Sequence, residues 1–344
     1  MQLYNKLSKK ERLDLINKAG EKRLTLSFYK YSKIKNTFIF RNFLFVHLDK
    51  LNVLGRVYIA SEGINAQVSV PASKLIEFKN SIDSILFLNG VRLNIAIEHN
   101  NEAFLKLKIK IKEKIVADGL NLNDYDLDVH GKHVNANEFN ELLEDKNTIT
   151  IDMRNHYESE VGHFKGANLP DVDTFRESLT LIKNKYKSYK KNKKILMYCT
   201  GGIRCEKASA YLLKNGFKNV YQLNGGIVEY ARQVNENKIE NKFVGKNFVF
   251  DNRLGERISN DIISNCHQCG EKCDEHTNCN NEACHLLFIQ CEDCKKKYDG
   301  CCSKKCNEIY SMPIEKQKEF RRGKKSSNKV FKKGRFKKTT INQV

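Results

Sequence analysis

Ten of the chain's twelve cysteines fall between Cys266 and Cys306, and that density limits how the stretch can fold. The segment is low in apolar residues and cannot bury much core by itself, so bound metal is expected to supply the missing stability. The chain opens MQLYNKLSKKERLDL, charged from residue 6 onward with no apolar run, which reads as no secretory signal. Thiols in such a chain read as metal ligands before disulfides. The spacing is Cys266-x2-Cys269-x3-Cys273, then Cys279, Cys284, Cys291-x2-Cys294 and Cys301-Cys302-x3-Cys306. Two C-x2-C knuckles offer four thiolates to one tetrahedral ion, so Cys266, Cys269, Cys291 and Cys294 form the best zinc set. Cys273, Cys279, Cys284, Cys301, Cys302 and Cys306, with His276 and His285, are candidates for a second site whose pairing spacing does not fix. A closed thiolate site is structural. An iron–sulfur cluster is the alternative, with consequences for electron supply.

The remaining chain divides by pattern. Residues 1–120 begin with a short helix, in which Ser8 and Glu11 form a capping box and Gly20 ends the turn. Strands, helices and strands then follow as β-α-β-β-α-β, with one helix expected over 72–87. This is a ferredoxin-like (acylphosphatase-like) α+β order. Residues 128–238 alternate strand and helix, with strands at 148–153, 194–198 and 219–223, which implies a parallel α/β sheet covered on both faces. Residues 260–312 are the cysteine-rich region and 313–344 a basic tail, expected to be disordered toward its end. No apolar run approaches the roughly 20 residues of a membrane helix, so a cytoplasmic protein without a membrane partner is expected.

Within the second segment, the strand at 195–198 runs into Cys199-Thr200-Gly201-Gly202-Ile203-Arg204-Cys205 and then a helix. Two glycines let the backbone curl so that successive N–H groups point at one spot, and the helix N-terminus adds positive potential there. A cysteine in that position is expected to be a thiolate at neutral pH, accessible and nucleophilic, with Arg204 adding a fixed cation to the anion cradle. Four residues separate Cys199 from Arg204, one fewer than in cysteine phosphatases. The tighter loop suits a terminal sulfur or small oxygen species better than phosphate. For Cys205 two roles stand open: resolving partner of Cys199, or small buried side chain.

The segment YCTGGIRCEKASAYL, with DMRNHYESEVGHFKGA before it and LNGGI after it, resembles a rhodanese domain. The resemblance implies that Cys199 carries a persulfide and that Asp152, Arg154 and His163 belong to the scaffold. Adding EGINAQVS (62–69), CHQCGEKCDEHTNC and CHLLFIQC in the same order, nearly the whole chain resembles the tRNA uridine hydroxylase family. That resemblance implies installation of a 5-hydroxyl on the wobble uridine, with molecular oxygen as co-substrate. It leaves the electron donor unnamed. Oxygen chemistry ordinarily borrows a metal, flavin or haem, yet the sequence offers no dinucleotide fingerprint and no clear two-His-one-carboxylate cluster. The other readings are a sulfurtransferase passing sulfane sulfur to an acceptor, and a non-enzymatic zinc-containing RNA-binding protein.

The formal net charge is +20, and residues 321–344 contribute ten Lys or Arg and no Asp or Glu, half of the excess. Arg321, Arg322, Lys324, Lys325, Lys332, Lys333 and Arg335 alternate with Phe331 and Phe336, a pattern suited to phosphate attraction and base stacking on unpaired RNA. The expected partner is the anticodon loop of tRNA rather than DNA, with the wobble base turned out of its stack.

Overall fold

The computed structural model describes residues 7–322. Helix α1 (Lys9–Ala19) has the Ser8–Glu11 capping box, and Gly20 ends it in the left-handed conformation. Then come β1 (Arg23–Tyr31), α2 (Thr37–Lys50), β2 (Leu54–Ala60), β3 (Gly63–Pro71), α3 (Leu75–Asp83), β4 (Asn94–Ile95) and β5 (Leu107–Ile111). The sheet order is β4-β1-β3-β2-β5. β3 lies between β1 and β2, antiparallel to both, and β4 is antiparallel to β1. This is the ferredoxin-like arrangement, extended by β5 parallel to β2. Alternate residues of the strands, such as Leu26, Phe28, Val57, Ile59, Ala66 and Val68, bury against Leu44, Leu48 and Phe78 of the two helices. The single helix expected over 72–87 is instead a 3-10 turn, α3, and a second 3-10 turn at Leu86–Leu88. The Ser84 hydroxyl donates to the Ser81 carbonyl where the helix stops, a local bond that competes with the helical ladder.

The central part contains β6 (Lys132–Val134), α4 (Ala136–Glu144), β7 (Thr148–Asp152), α5 (His156–Ser159), β8 (Gly162–Phe164), α6 (Phe175–Lys185), β9 (Lys194–Tyr198), α7 (Ile203–Lys214), β10 (Asn219–Leu223) and α8 (Gly226–Asn237). Strands β6-β10-β9-β7 form an all-parallel sheet. One face packs on α6 and α7 through Leu179, Ile182, Ala208 and Leu212. The other packs on α4 and α8 through Phe139, Ile227 and Tyr230. Both faces are covered, so Ile195–Tyr198 of β9 is buried throughout.

β8 leaves this sheet to pair with β11 (Phe243–Asn247), which also pairs with β12 (Glu256–Arg257). The cysteine-rich part adds the hairpin β13 (His276–Asn278) and β14 (Leu287–Ile289), then α9 (Glu292–Lys297), α10 (Lys304–Tyr310) and α11 (Ile314–Arg321). It packs on the central part through Tyr157 and Val161 against Phe248, Cys266 and Leu287. The hydrogen-bonded pair His267–Glu160, at 2.8 Å, ties the two parts as well. Among the described residues no helix is long and apolar enough to cross a membrane.

Candidate functional site

The site is built where β9 ends at the carboxyl edge of the parallel sheet, the place where such sheets bind ligands. The chain turns there through Cys199, Thr200 and Gly201 to Gly202, whose φ of +98° opens α7. A Cβ at Gly202 would lie 2.8 Å from the Tyr29 hydroxyl, so space and backbone conformation both require glycine. The turn brings the Gly202 amide to 3.2 Å from Cys199 Sγ, to which it donates. Burial alone would push the Cys199 thiol up. The Cys205 thiol, the Arg204 guanidinium and the amides of Cys205 and Arg204 outweigh it and hold the thiol down at about 6. Cys205 is itself pushed well above the usual thiol range, by burial and by the neighbouring Cys199 sulfur. It is fully buried, in keeping with one of its two readings, and is the neutral donor to the Cys199 thiolate.

Two expectations need correction. Cys199 is charged but not accessible, for its relative exposure is 0%. Arg204 does not offer its donors to an anion in the loop either. Its two terminal nitrogens lie 2.6 and 2.8 Å from the two carboxylate oxygens of buried Glu158, and one of them also donates to Thr200 Oγ1 at 3.3 Å. The guanidinium therefore acts on Cys199 through its field while its donors are spent on α5. Spacing placed Arg204 beside the loop, but it gave no sign of a buried carboxylate 46 residues away in sequence.

A second backbone segment closes on the loop from the far side. The amides of Ile227 and Val228 at the start of α8 donate to the carbonyls of Cys199 and Thr200 at 3.0 and 3.2 Å. A Cβ on Gly226 would sit 2.5 Å from the Cys199 carbonyl oxygen, which explains the glycine pair in LNGGI. Asp152, Arg154 and His163 lie in the scaffold. Arg154 is buried, pairs with Asp152 and donates to the Gly162 carbonyl at 2.6 Å, and His163 Nδ1 donates to the Ser159 carbonyl at 2.9 Å.

The N-terminal part covers the loop. Tyr31 donates to the Ile203 carbonyl at 3.1 Å, Asn94 to the Gly201 carbonyl at 3.5 Å, and Tyr29 to Glu206 at 3.2 Å. Deeper in this interface, fully buried Lys207 of α7 donates to both oxygens of Glu62, at 2.9 and 2.8 Å, and to Asp118. Its ammonium also lies over the rings of Tyr31 and Tyr125. Glu62 is the first residue of EGINAQVS, so that motif's acid serves to clamp the two parts together. Between them lies a cavity of about 300 Å³, lined by Tyr29, Arg92, Asn94, His130, Gly201 and Glu206 among others. Its size falls in the range of small-molecule sites, and Gly201 gives the Cys199 loop one wall of it.

The sulfurs of Cys266, Cys269, Cys291 and Cys294 all lie within 4.8 Å of one another, and so do those of Cys279, Cys284, Cys302 and Cys306. Sulfur pairs at 3.5 Å (Cys269–Cys291) and 3.7 Å (Cys284–Cys302, Cys302–Cys306) are close to the separation of about 3.8 Å set by tetrahedral metal–thiolate bonds of about 2.3 Å. Either cluster can hold a metal. The second cluster leaves out Cys273, Cys301, His276 and His285. Of the tail residues, Arg321 ends α11 and pairs with Glu282, and Arg322 follows it. Lys324, Lys325, Lys332, Lys333, Arg335 and the expected disorder lie outside the described residues.

Three family models match consecutive stretches: a UPF0176 acylphosphatase like domain over 23–115, a Rhodanese-like domain over 135–233 and a Rhodanase C-terminal region over 244–307. The chain is 51% identical over 334 residues to a Leptospira interrogans protein named tRNA uridine(34) hydroxylase, covering 97% of this chain and 90% of that protein. The chain belongs to the tRNA uridine(34) hydroxylase family. Relatives of the same name from Photorhabdus laumondii and Yersinia pestis are each 49% identical over 97% of the chain, covering 95% and 94% of their own lengths. The family match therefore runs through all three parts, including Glu62, the Cys199 loop and both cysteine clusters. The resemblance read from EGINAQVS, CTGGIRCEKA and the cysteine spacing is the family the comparisons give.

Proposed function

We propose that this protein hydroxylates C5 of uridine 34 in tRNA, with molecular oxygen as co-substrate and Cys199 as its reactive group. The observation that carries the reading is a thiol held down at about 6 beside a cavity with one wall on the same loop. The name carried by relatives at about half identity over nearly the whole chain supports the substrate. The reaction replaces C5–H by C5–OH. One oxygen atom of O2 ends on carbon and the other in water, with two electrons and two protons from an external donor. Addition of sulfur to C6 of the pyrimidine would place an electron pair on C5. Once C5 has taken oxygen, loss of its proton and expulsion of the thiolate restore the ring. A persulfide on Cys199 would extend the reactive sulfur about 2 Å beyond the buried Sγ. Otherwise the covering N-terminal part must move aside for the base.

The two clusters of four cysteines are assigned to structural zinc, since four thiolates leave no position for substrate. A cytoplasmic location and contact with the tRNA anticodon loop follow from the same reading. The test is nucleoside mass spectrometry of tRNA from cells carrying wild-type protein or the Cys199→Ala variant, grown with and without oxygen. Loss of 5-hydroxyuridine and its derivatives in the variant, and in anaerobic wild-type cells, is expected. Survival of the modification in Cys199→Ala removes that residue from the mechanism. Loss of thiolated nucleosides instead would mark a sulfurtransferase.

A further inference from the structure

The central part contains a third cluster of ligating side chains, and it borders the cavity. His130 precedes β6, His133 lies within it, and Glu206 stands in the first turn of α7, next to Cys205. Sequence spacing hides the cluster, because α7 brings in its carboxylate 73 residues after His133. One ligand atom from each of the three lies within 4.8 Å of the others. His133 Nε2 is 2.7 Å from Glu206 Oε1, and the two imidazole rings are 4.9 Å apart.

Two of the three side chains are oriented by a further partner. His130 Nδ1–H donates to the Gly131 carbonyl at 3.1 Å, so the lone pair of the neutral ring is on Nε2. Glu206 accepts from the Tyr29 hydroxyl at 3.2 Å and from Gln222 Nε2 at 3.1 Å. This is how metal-ligating histidines and carboxylates are held. His130 and Glu206 line the cavity, as does Asn94, which is only 6% exposed and whose carboxamide oxygen has no hydrogen-bond partner among the described residues.

We propose that His130, His133 and Glu206 bind a divalent first-row transition metal whose remaining coordination positions open on the cavity. The donor set differs in kind from the two thiolate clusters. Two imidazoles and one carboxylate suit iron(II) and leave positions free, as in non-haem iron oxygenases, whereas four cysteines close a site. The assignment of the cavity to the base rests on the proposed function; the metal site itself does not.

The test uses full-length protein with its cysteine-bound metal in place, titrated with iron(II) under anaerobic conditions. Metal analysis counts the bound iron, and electron paramagnetic resonance follows addition of nitric oxide, which reports iron with an open position. Wild-type protein should take one further equivalent and give the half-integer-spin nitrosyl signal. His130→Ala, at an exposed position, and Glu206→Gln should lose both while keeping the metal on the cysteines. Tyr29→Phe, which releases only the support of Glu206, should weaken iron binding by about tenfold or more. Wild-type protein that takes no further iron and gives no nitrosyl signal overturns the site. So does an undiminished signal in His130→Ala. Protein that binds the ion but leaves tRNA unhydroxylated upholds the metal site and overturns the proposed function. Protein that binds no ion and still hydroxylates uridine does the reverse.

Discussion

Glu158 receives both terminal nitrogens of Arg204, at 2.6 and 2.8 Å, with the carboxylate fully buried. The pair connects α5, on which the cysteine-rich part packs, to α7, which opens beneath Cys199. Replacing Arg204 by Met removes a cation that holds the Cys199 thiol down and leaves a buried carboxylate unpaired. The Cys199 titration, followed by ultraviolet thiolate absorbance, should move up from about 6. Unfolding free energy should fall by about 3–5 kcal/mol, the usual result of breaking a buried pair from one side. Arg204→Lys should keep much of the low thiol titration while still losing stability, because one ammonium cannot reproduce the planar pair of nitrogens that Arg204 lays on Glu158. An unchanged Cys199 titration in Arg204→Met would sink the electrostatic account.

The depressed thiol also sets a sign for stability against pH. Cys199 ionises at about 6 in the folded protein, against 9.0 for an unperturbed thiol. Between those values the unfolded chain holds a proton that the folded chain has released, so stability rises with pH across that window. The contribution is fully present above 9 and is lost as pH falls through 6. Comparing urea midpoints at several pH values for wild-type and Cys199→Ser protein should show a shallower rise in the variant. Equal slopes would mean the thiol is not ionised in the folded state.

Lys207 holds the N-terminal part over the loop through Glu62 and Asp118, with all three side chains at most 10% exposed. Lys207→Met leaves Glu62 without its cation and Asp118 with Lys114 alone, and should destabilise by about 3–5 kcal/mol. Limited proteolysis should then cleave sooner within residues 112–131, which run between the N-terminal part and the parallel sheet. Glu62→Gln keeps one acceptor and should cost less. A Lys207→Met protein with wild-type unfolding and proteolysis would show that the clamp is incidental.

The sequence conveyed local order well. Ser8 with Glu11 marks a helix start because a capping box is a bond across three residues. The buried strand Lys194–Tyr198 and the turn after it were legible because glycines and apolar runs act locally. Four of the six second-site cysteine candidates converge in space, but only the tertiary fold selects them. Contacts between parts were hidden. Nothing near Glu62 indicates Lys207, nothing near Arg204 indicates Glu158, and the His130–His133–Glu206 cluster combines a loop, an edge strand and a helix. The burial of Cys199 was invisible for the same reason, since its cover comes from Tyr29 and Asn94, more than a hundred residues earlier.

The basic tail gives a prediction that separates binding from chemistry. Residues 321–344 contain ten cations and no acid. Each phosphate contact by a cation releases counterions and steepens the salt dependence of binding. A protein ending at residue 320 should bind tRNA more weakly at low salt, with a shallower slope of log affinity against log salt. Its thiol titration at Cys199 should stay the same. An unchanged slope would assign the basic tail to lysine-rich composition rather than to RNA contact.

Metal removal tests whether the cysteine-rich part supports the reactive loop. Tyr157 of α5 packs edge-on against Phe248, in the same buried cluster as Cys266, Cys273 and Cys294. The neighbouring Glu158 holds Arg204, and Phe250 lies under the same guanidinium. A path of direct contacts therefore runs from the first thiolate cluster through α5 to Arg204 and Cys199. Substituting Cys269, the exposed member of that cluster, by Ser should lower bound metal by one equivalent per chain. With the cluster loosened, α5 loses part of its packing and Arg204 its fixed position, so the Cys199 thiol should titrate higher and 5-hydroxyuridine should decrease together. The matching change at Cys306 removes a ligand from the second cluster, whose buried contacts with Leu286 and Phe288 do not include α5. It should lower metal content equally but leave the thiol titration nearly unchanged. If both substitutions move Cys199 alike, or neither does, the contact path through α5 carries no influence on the loop.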